Sequence, residues 1–544
     1  MDDRRTSVRY TGAVYTPTDV ATAIAERCSA LLGVGHLNIL EPSVGDGAFL
    51  SGLTGIEASS IKVTAVDVNE EVILDLSHRY HNHAERLNFL AGDFIQYAID
   101  RLRQGPPDEK FNLIVGNPPF IRRHNFSENL RESIDRFASA FDYPLNKIKN
   151  TWPAFLVASA KLISDDGIVA LVLPYELLTV EYGQKVLNYI QDDFERVDIF
   201  VSEQKAFPEI DQDAIILIAQ KKSKKSSGLY IAKVRDFTNL SDRNARKVQF
   251  KNGVQGGLEL NSYLLPKTAV KLVKELQTNL SLVSDHLTSA PGVVSAANDF
   301  FIRTKADIIE LGLSDYAKPI LKKGSFSSSR PMFTSADFDE LAEQEPCYLL
   351  HFRGEREKLS AAAAAYVEEG EERNLHLRYK CRNRPYWYQV PLVEPEQAFV
   401  FKRSHSHPRV ILNEAGVCTT DTAYGLRLKD GYTARGFCFS FYTSLTMLFS
   451  EVNGRFYGGG VLELSPNEFR SLALIYHEPT EQEFAEFVQV HLSANGNIED
   501  ILDFGDKWLI AGGHLSVSEL AVIRKSWSAI RAHRLRHGGR QQKG

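Results

Sequence analysis

Residues 38–50 read Asn-Ile-Leu-Glu-Pro-Ser-Val-Gly-Asp-Gly-Ala-Phe-Leu, and this stretch decides the fold of the first half of the chain. A short apolar run leads into a Gly-x-Gly turn at Gly45 and Gly47, and a helical pattern follows. Glycines at the end of a strand let the backbone approach a ligand closely. A bare α/β turn has the same pattern, so the elements around it must decide whether the turn binds a ligand.

On both sides of this turn, short apolar segments alternate with helical patterns such as residues 19–32 and 152–163. That alternation predicts an α/β fold with a Rossmann-like, doubly wound, seven-stranded sheet. The candidate strands are residues 37–40, 61–66, 87–90, 112–115, 168–173, 197–201 and 214–219.

The chain has 544 residues, more than a single hydrophobic core usually supports. The polar run at 221–227 marks a boundary and predicts an N-terminal domain over residues 1–225. A mixed α+β domain is predicted over 226–515, with a basic tail over 516–544. Within the second domain, residues 228–234, 410–412 and 436–441 resemble strands, and 267–277 resembles a helix.

Composition narrows the class of protein. Hydrophobic residues make up 43% of the chain and charged residues 24%, as in an ordinary globular protein. The sequence has no apolar run of the length that spans a membrane, and Met1–Arg5 does not resemble a signal peptide. The five cysteines lie far apart without metal-ligand spacing, which predicts no metal and a reducing cytoplasm.

Two later strands indicate a cofactor. The second strand ends in Asp67, 20 residues after Gly47, where a carboxylate can accept hydrogen bonds from ribose hydroxyls. The third strand is followed by Asp93 and Phe94, which are suited to an adenine amine and an adenine ring. Because no Gly-x-Gly-x-x-Gly and no Gly-Lys-Ser/Thr loop is present, the cofactor lacks a diphosphate, which describes S-adenosylmethionine.

The fourth strand leads through Gly116 into Asn117-Pro118-Pro119-Phe120. Two prolines fix φ and remove two backbone donors, so they hold the Asn117 side chain and nearby carbonyls away from the strand end. Acceptors at Asn117 and Pro118 would bind both hydrogens of an exocyclic adenine amine and direct its lone pair at a methyl donor. Phe120 would stack on a base rotated out of the duplex. The alternative is a turn that only caps a strand, but the three cofactor elements upstream favour catalysis.

With these motifs in this order, the chain resembles the gamma class of adenine-N6 DNA methyltransferases, the TaqI-like and related type II modification methylases. The resemblance implies a methyltransferase catalytic domain, a target-recognition domain after it, double-stranded DNA as substrate, and a separate cognate restriction endonuclease as a partner. It also implies an aromatic against the flipped base, which corresponds to Phe207. The family usually has Tyr where this chain has Phe120, so any role of a hydroxyl is lost here. The residues that would bind the cofactor are Tyr15, Thr16, Pro17, Glu41, Ser43, Gly45, Asp67, Val68, Asp93 and Phe94.

Basic stretches in the second half suit contact with DNA phosphates, although a solvated basic face has the same composition. Residues 373–384 hold five Lys or Arg interleaved with Tyr379, and residues 402–409 form a second patch. The tail from 521 to 544 carries seven Lys or Arg without an acid and fits either DNA contact or a frayed terminus. The candidate DNA-contacting residues are Arg122, Arg123, Arg378, Arg382, Arg384, Lys402 and Arg403.

Three alternatives remain at this point. The acceptor could be another amine or amide, such as cytosine N4, an RNA base or a glutamine in a protein. A fused restriction nuclease is the second, although about 35 residues before the glycine turn leave little room upstream and no Asp…Glu-x-Lys triad is convincing. The third is an inactive DNA-binding subunit, which the intact Asp67, Asp93 and Asn117 disfavour.

Overall fold

A computed structural model describes residues 15–33, 35–53, 60–104, 110–141, 148–204, 213–249, 260–327 and 330–536. The chain divides into two compact units. The first unit comprises Met1–Pro266, Phe456–Gly460 and His533–Gly544, and the second comprises Lys267–Arg455 and Val461–Ala532.

A mixed sheet organises the first unit. Within the described residues it has nine strands in the order β3-β2-β1-β4-β5-β7-β6-β8-β9. The strands are β1 His36–Glu41, β2 Ser60–Asp67, β3 Leu87–Ala91, β4 Phe111–Gly116, β5 Ile163–Pro174, β6 Arg196–Ser202, β7 Ala214–Gln220, β8 Gly228–Val234 and β9 Arg246–Val248. The first five are parallel, and β7 is antiparallel to both β5 and β6. All seven predicted strands are therefore confirmed, and two further strands extend the sheet.

Helices cover both faces of this sheet, which makes it doubly wound as predicted. On one face, apolar residues of Thr18–Leu32, Ala48–Leu53 and Glu70–Arg79 share a core with alternate residues of the central strands. On the other face, Trp152–Leu162 packs against β5 and against two more helices. Because both faces are covered, β6 and β7 are buried along their whole length, as continuous apolar strands usually are. Further α-helices of this unit are Phe94–Arg103, Glu128–Ala140, Glu176–Thr179 and Glu181–Asp193.

The first unit extends beyond the predicted boundary at residue 225. Strand β8 pairs in parallel with β6 along its full length, and β9 pairs with β8. The polar run at 221–227 is a connection between two strands of one sheet, and the units divide at Pro266 and Lys267. Polarity marks a surface turn as readily as a linker between domains.

The second unit is of mixed α+β construction. Its described residues form a five-stranded sheet in the order β10-β19-β15-β17-β13 and a four-stranded sheet in the order β11-β14-β12-β18, and β16 pairs with β21. The strands that begin in this unit are β10 Leu287–Pro291, β11 Ile302–Arg303, β12 Ala317–Leu321, β13 Met332–Phe333, β14 Tyr348–Leu350, β15 Ala398–Phe401, β16 Arg403–Ser404, β17 Val410–Asn413, β18 Cys418–Thr419, β19 Ala423–Leu428, β20 Arg455–Tyr457 and β21 Val461–Glu463. The helices that begin in this unit are Lys267–Asn279, Val283–His286, Asn298–Phe301, Lys305–Glu310, Ser335–Ala342, Ala361–Glu372, Tyr379–Arg382, Ala434–Phe441, Ser444–Asn453, Pro466–Arg470, Glu481–Ala494, Ile498–Ala511 and Val517–Leu535.

One predicted strand in the second half of the chain is wrong. Residues 436–441 resemble a strand, but Ala434–Phe441 is a helix capped by Thr433, whose side chain accepts a hydrogen bond from the amide of Gly436. Residues 436–441 of this helix are all buried, so that stretch lacks the alternation of polar and apolar residues with a 3.6-residue period that would have indicated a helix. Within the described residues, most of the predicted basic tail is a helix, Val517–Leu535. Its apolar residues at i, i+4 and i+7, namely Ile523, Trp527 and Ile530, are buried.

The sequence predicts neither a membrane-spanning segment nor a disulfide framework. Across the described ranges, no helix combines the length and the apolar character needed to cross a bilayer. All five cysteines are buried thiols.

A buried ion pair holds the added strand β8 in the first unit. Arg196 on β6 makes a bidentate contact with Asp198 at 2.8 and 2.7 Å, and both side chains are buried. The Arg196 guanidinium also donates to the carbonyl of Ser226 at 2.7 Å and lies over the ring of Tyr230 at 3.9 Å. The pair thus ties β6 to the start of β8.

We expect Asp198→Ala to lower the free energy of unfolding by about 3 kcal/mol, because the buried Arg196 charge loses its bidentate partner and keeps a longer contact, with the carboxylate of Asp242 at 3.7 Å. Urea unfolding followed by circular dichroism measures this. The control is Glu181→Ala, which breaks the exposed Lys185–Glu181 pair and should cost less than about 1 kcal/mol. Equal losses in the two variants would contradict the argument.

Candidate active site

The site forms where the strand order reverses, between β1 and β4. The chain runs from β1 outward to β3 on one side and continues through β4 and β5 on the other. Ligands of open α/β sheets bind at the carboxyl ends of strands at such a point. The loops that follow β1 and β4 meet there, since the Ser43 hydroxyl donates to the carbonyl of Asn117 at 3.0 Å.

The loop after β1 is shaped by two glycines in the left-handed region, with φ of +52° at Gly45 and +83° at Gly47. That conformation favours glycine because it has no Cβ. The Gly45 amide donates to Asp67 Oδ2 at 3.0 Å, and the Asn69 amide donates to Asp67 Oδ1 at 3.0 Å. The Asp67 carboxylate is therefore fixed at the tip of β2. Each of its oxygens keeps a second lone pair that can accept from a hydroxyl.

Glu41, the last residue of β1, is fully buried. Neither of its carboxylate oxygens has a hydrogen-bond partner among the described residues. Burial, followed by the charges of Asp46 and Asp67, raises the pKa of this carboxyl well above its usual range. A buried carboxylate without donors is costly, so the surroundings of Glu41 favour either a proton or a positively charged ligand.

The side of the site beyond β2 and β3 holds the residues predicted to flank an adenine. Val68 follows Asp67 with 78% of its surface exposed, which leaves an apolar side chain at the edge of the loop. Asp93 caps the helix Phe94–Arg103 by accepting from the Ile95 amide at 2.7 Å. Phe94 is only 2% exposed and packs against Phe155 at 5.0 Å, so little of its ring is open to a ligand.

The loop after β4 carries Asn117-Pro118-Pro119-Phe120. The Asn117 Nδ2 donates to the hydroxyl of Thr16 at 3.1 Å, which fixes the orientation of the amide. Thr16 is itself buried. A Cβ at Gly116 would lie 3.2 Å from Pro42 Cδ, so a larger residue at 116 would push the two loops apart. Pro118 is buried, and Pro119 and Phe120 are half-buried.

Thr151 supports this loop through hydrogen bonds, a role that no motif in the sequence predicts. Its buried hydroxyl donates to the Pro119 carbonyl and accepts from the Ile121 amide at 3.1 Å. Its own amide donates to the Ile121 carbonyl at 3.1 Å. The only sequence signal was a threonine immediately before the helix Trp152–Leu162, which has proline in its first turn. A helix start of this kind gives no indication of which loop it supports.

Other predicted residues lie at or near the two loops. The exposed ring of Tyr15 lies beside Gly45, where a Cβ would be 3.6 Å away, and Pro17 precedes the helix Thr18–Leu32. Arg122 is exposed, while Arg123 is half-buried and its Nη1 donates to the Ile148 carbonyl at 3.5 Å. Phe207 lies outside the described residues.

In the second unit, the basic candidates differ in what they already bind. The half-buried Arg384 donates to the carbonyls of Val294 and Ser295 at 2.9 Å, and burial lowers its pKa. Arg403 pairs with Glu463, and Lys402 is half-buried. Arg378, Arg382 and Arg403 are exposed. Arg384 and Arg378 both donate to backbone carbonyls, Arg378 to that of Ala296 at 2.8 Å, but only Arg384 is half-buried.

Two family models match the chain. Residues 53–207 match the model described as Eco57I restriction-modification methylase. Residues 259–510 match the model described as type II methyltransferase M.Eco57I, C-terminal domain. The two matches fall on the two halves of the chain in order.

Similar proteins include two that align over most of their length. The chain is 22% identical to type II methyltransferase M.AccI of Acinetobacter calcoaceticus over 84% of this chain and 83% of that protein. It is 20% identical to type II methyltransferase M.XamI of Xanthomonas campestris pv. amaranthicola over 85% of each. A shorter match, 31% identical over 22% of this chain and 32% of that protein, is to a release factor glutamine methyltransferase of Fusobacterium nucleatum.

Among solved structures, the fold is similar to that of the protein in a cryoEM structure of a DrdV–DNA complex, with a TM-score of 0.52 and 12% identity. That alignment covers 90% of this chain and 58% of the other. At this identity the similarity concerns the fold alone.

The environment of Glu41 has a consequence for stability. The pKa of the Glu41 carboxyl is raised in the folded, ligand-free protein. The carboxyl therefore contributes most to stability at pH values below its pKa in the unfolded chain, and this contribution is lost as pH rises through its pKa in the folded protein. We therefore expect Glu41→Gln to raise the melting temperature of the ligand-free protein at pH 8, with a smaller gain toward about pH 5.

Thermal unfolding of both proteins across this pH range tests the expectation. Glu85→Gln, a substitution at an exposed carboxylate of the same unit, is the control and should show no such trend. If the melting temperature of the wild type does not fall relative to that of Glu41→Gln as pH rises, burial of the Glu41 carboxyl does not destabilise the folded protein.

Proposed function

Because the chain belongs to the type II restriction-modification methylases, we propose that it methylates the N6 amine of adenine within a specific sequence of duplex DNA. S-adenosylmethionine is the cofactor, and the chain is a DNA methyltransferase. The choice of adenine rests on one observation above all, the anchored Asn117 amide at the switch point of the sheet. In this proposal the protein acts in the cytoplasm as the modification enzyme beside a separate restriction endonuclease.

The residues after β1 and β2 fit this cofactor. S-adenosylmethionine supplies an electrophilic methyl group on a positively charged sulfonium, and its methionine part carries an ammonium group. A cation near Glu41 would give that buried carboxylate the partner it lacks. Asp67, held by two backbone amides, would accept from the ribose hydroxyls. Asp93 and Val68 would bind the adenine of the cofactor.

Asn117 and Pro118 would activate the acceptor amine. The lone pair of an exocyclic amine is delocalised into its ring, which makes the nitrogen a poor nucleophile. Hydrogen bonds from its two N–H groups to Asn117 Oδ1 and the Pro118 carbonyl would draw the nitrogen toward tetrahedral geometry. The gain in rate would come from acceptors fixed before the reaction, since Thr16, Ser43 and Thr151 already hold this loop.

The target base must leave the duplex for this geometry to be reached, because the amine is not accessible inside the stack. Phe120 is half-buried directly after the two prolines and would stack on the extruded base. Phe207 is proposed as a second aromatic against that base. The short match to a glutamine methyltransferase makes a protein amide the alternative acceptor, but the match of residues 259–510 to the type II methyltransferase C-terminal domain favours DNA.

Asn117→Ala should abolish methyl transfer, with a loss in kcat of at least about 10²–10³-fold, because it removes an acceptor aligned with the transition state. The measurement is transfer of a labelled methyl group from S-adenosylmethionine to unmethylated genomic DNA. Cofactor binding, followed by calorimetry, should be largely retained. Persistent labelling by this variant would exclude the mechanism.

Nucleoside analysis of the wild-type product identifies the acceptor. Digestion of the labelled DNA to nucleosides, followed by mass spectrometry, should give N6-methyl-2′-deoxyadenosine. Label in N4-methylcytosine, in RNA or in protein would show that the acceptor is not adenine in DNA. Sequencing of the modified DNA then gives the recognition site.

Thr16→Val should lower kcat by about twofold to tenfold, the effect of losing one hydrogen bond that positions the Asn117 amide. Thr16→Ser keeps the hydroxyl and should retain activity. Steady-state kinetics separates this positioning role from direct contact with the cofactor. A rise in KM for S-adenosylmethionine with unchanged kcat would assign Thr16 to cofactor binding alone.

A further inference from the structure

Two large apolar side chains project into solvent from a basic segment of the second unit. Leu377 is 61% exposed and Tyr379 is 72% exposed. They alternate with three exposed cations, Arg378, Lys380 and Arg382. Single exposed apolar residues are ordinary, but an apolar pair set among cations suits a partner that is both anionic and able to stack.

The segment is held firmly in place. The backbone on either side is anchored by Leu375 and Cys381, which are both buried. Arg378 Nη1 donates to the carbonyl of Ala296 at 2.8 Å, and Asn383 Nδ2 donates to the carbonyl of Tyr379 at 2.7 Å. The exposed side chains therefore project from a fixed backbone, which lowers the entropy lost on binding.

A cavity of about 310 Å³ adjoins this segment and is lined in part by Arg378, Lys380 and Arg373. Its opposite wall is the loop from Val294 to Asp299, where Ala296 has a φ of +65°. Arg384 holds this loop by donating to the carbonyls of Val294 and Ser295. Arg384 is therefore a positioning residue for the cavity wall.

We propose that Tyr379, assisted by Leu377, is the apolar contact of the second unit with duplex DNA, while Lys380 and Arg382 bind the flanking phosphates. The proposal rests on duplex DNA being the substrate, as in the proposed function. Charge complementarity favours DNA as the occupant, since the segment carries cations on both sides of the ring. Arg382 already lies 5.4 Å from the Tyr379 ring, so a base step that the ring partly unstacks in the duplex would also lie near a guanidinium.

Salt dependence separates the two kinds of contact. A phosphate contact releases counterions, so its loss reduces the slope of log K against log salt by about 0.9 per contact. A stacking contact releases none, so its loss lowers affinity by the same factor at every salt concentration. Base–aromatic stacking on single strands corresponds to about a fivefold to 150-fold change in affinity on alanine substitution, and a ring inserted at a partly unstacked step of a duplex makes the same kind of contact.

The experiment measures binding of fluorescently labelled, unmethylated plasmid fragments to the full chain by anisotropy over a range of KCl concentrations. We expect Tyr379→Ala to weaken binding about fivefold or more with an unchanged slope, and Tyr379→Phe to bind as the wild type does. Lys380→Ala should reduce the slope by about one. The matched control is Ile309→Ala, because Ile309 is 63% exposed elsewhere in the same unit.

The proposal is overturned if Tyr379→Ala binds as the wild type does, if it changes the slope instead of the affinity, or if the wild-type chain does not bind duplex DNA. Loss of binding to a partner protein with DNA binding intact would assign the segment to that protein. This test is independent of the acceptor base. Tyr379-dependent DNA binding without adenine methylation would refute only the proposed function, and adenine methylation with normal binding by Tyr379→Ala would refute only this inference.

Discussion

One hydrogen bond across the switch point of the sheet is the constraint on which the active-site geometry depends. The Ser43 hydroxyl on the loop after β1 donates to the Asn117 carbonyl on the loop after β4. These loops are far apart in sequence but lie side by side because β1 and β4 are adjacent strands. The contact connects the part of the site suited to a cationic cofactor with the part suited to an acceptor amine, so the two reactants are positioned by one rigid sheet.

The electrostatics of this site oppose the stability of the ligand-free protein. Glu41 is buried without donors and close to two further carboxylates, which raises its pKa. A group in such surroundings destabilises the protein when charged and stabilises a complex with a cation. The loop after β4 shows the opposite arrangement, since Thr16 and Thr151 hold Asn117 and Pro119 in place before any ligand binds. The site therefore combines a buried carboxylate, for which the described residues supply no hydrogen-bond donor, with a loop that hydrogen bonds hold in place.

The second unit uses cations in two different ways. Arg384 is half-buried and donates to backbone carbonyls, so it stabilises the conformation of the loop beside the cavity. Arg382 and Lys380 are exposed around the ring of Tyr379 and can meet a partner. Residues that form one basic cluster in the sequence thus differ in function because burial and local partners differ. Arg384 stabilises the loop beside the cavity, and Arg382 and Lys380 are the cations proposed to bind DNA phosphates.

The sequence alone determined the seven central strands, the glycine turn and the Asn-Pro-Pro-Phe loop, because buried parallel strands are continuous apolar runs and glycine and proline restrict the backbone locally. It did not place β8 in the first unit, since pairing with β6 depends on residues distant in the chain. It also missed the buried helix Ala434–Phe441, which has no polar face, and the supporting role of Thr151. Only the tertiary structure decided these features. Each depends on contacts between segments that are distant in the sequence, and no local sequence pattern records such contacts.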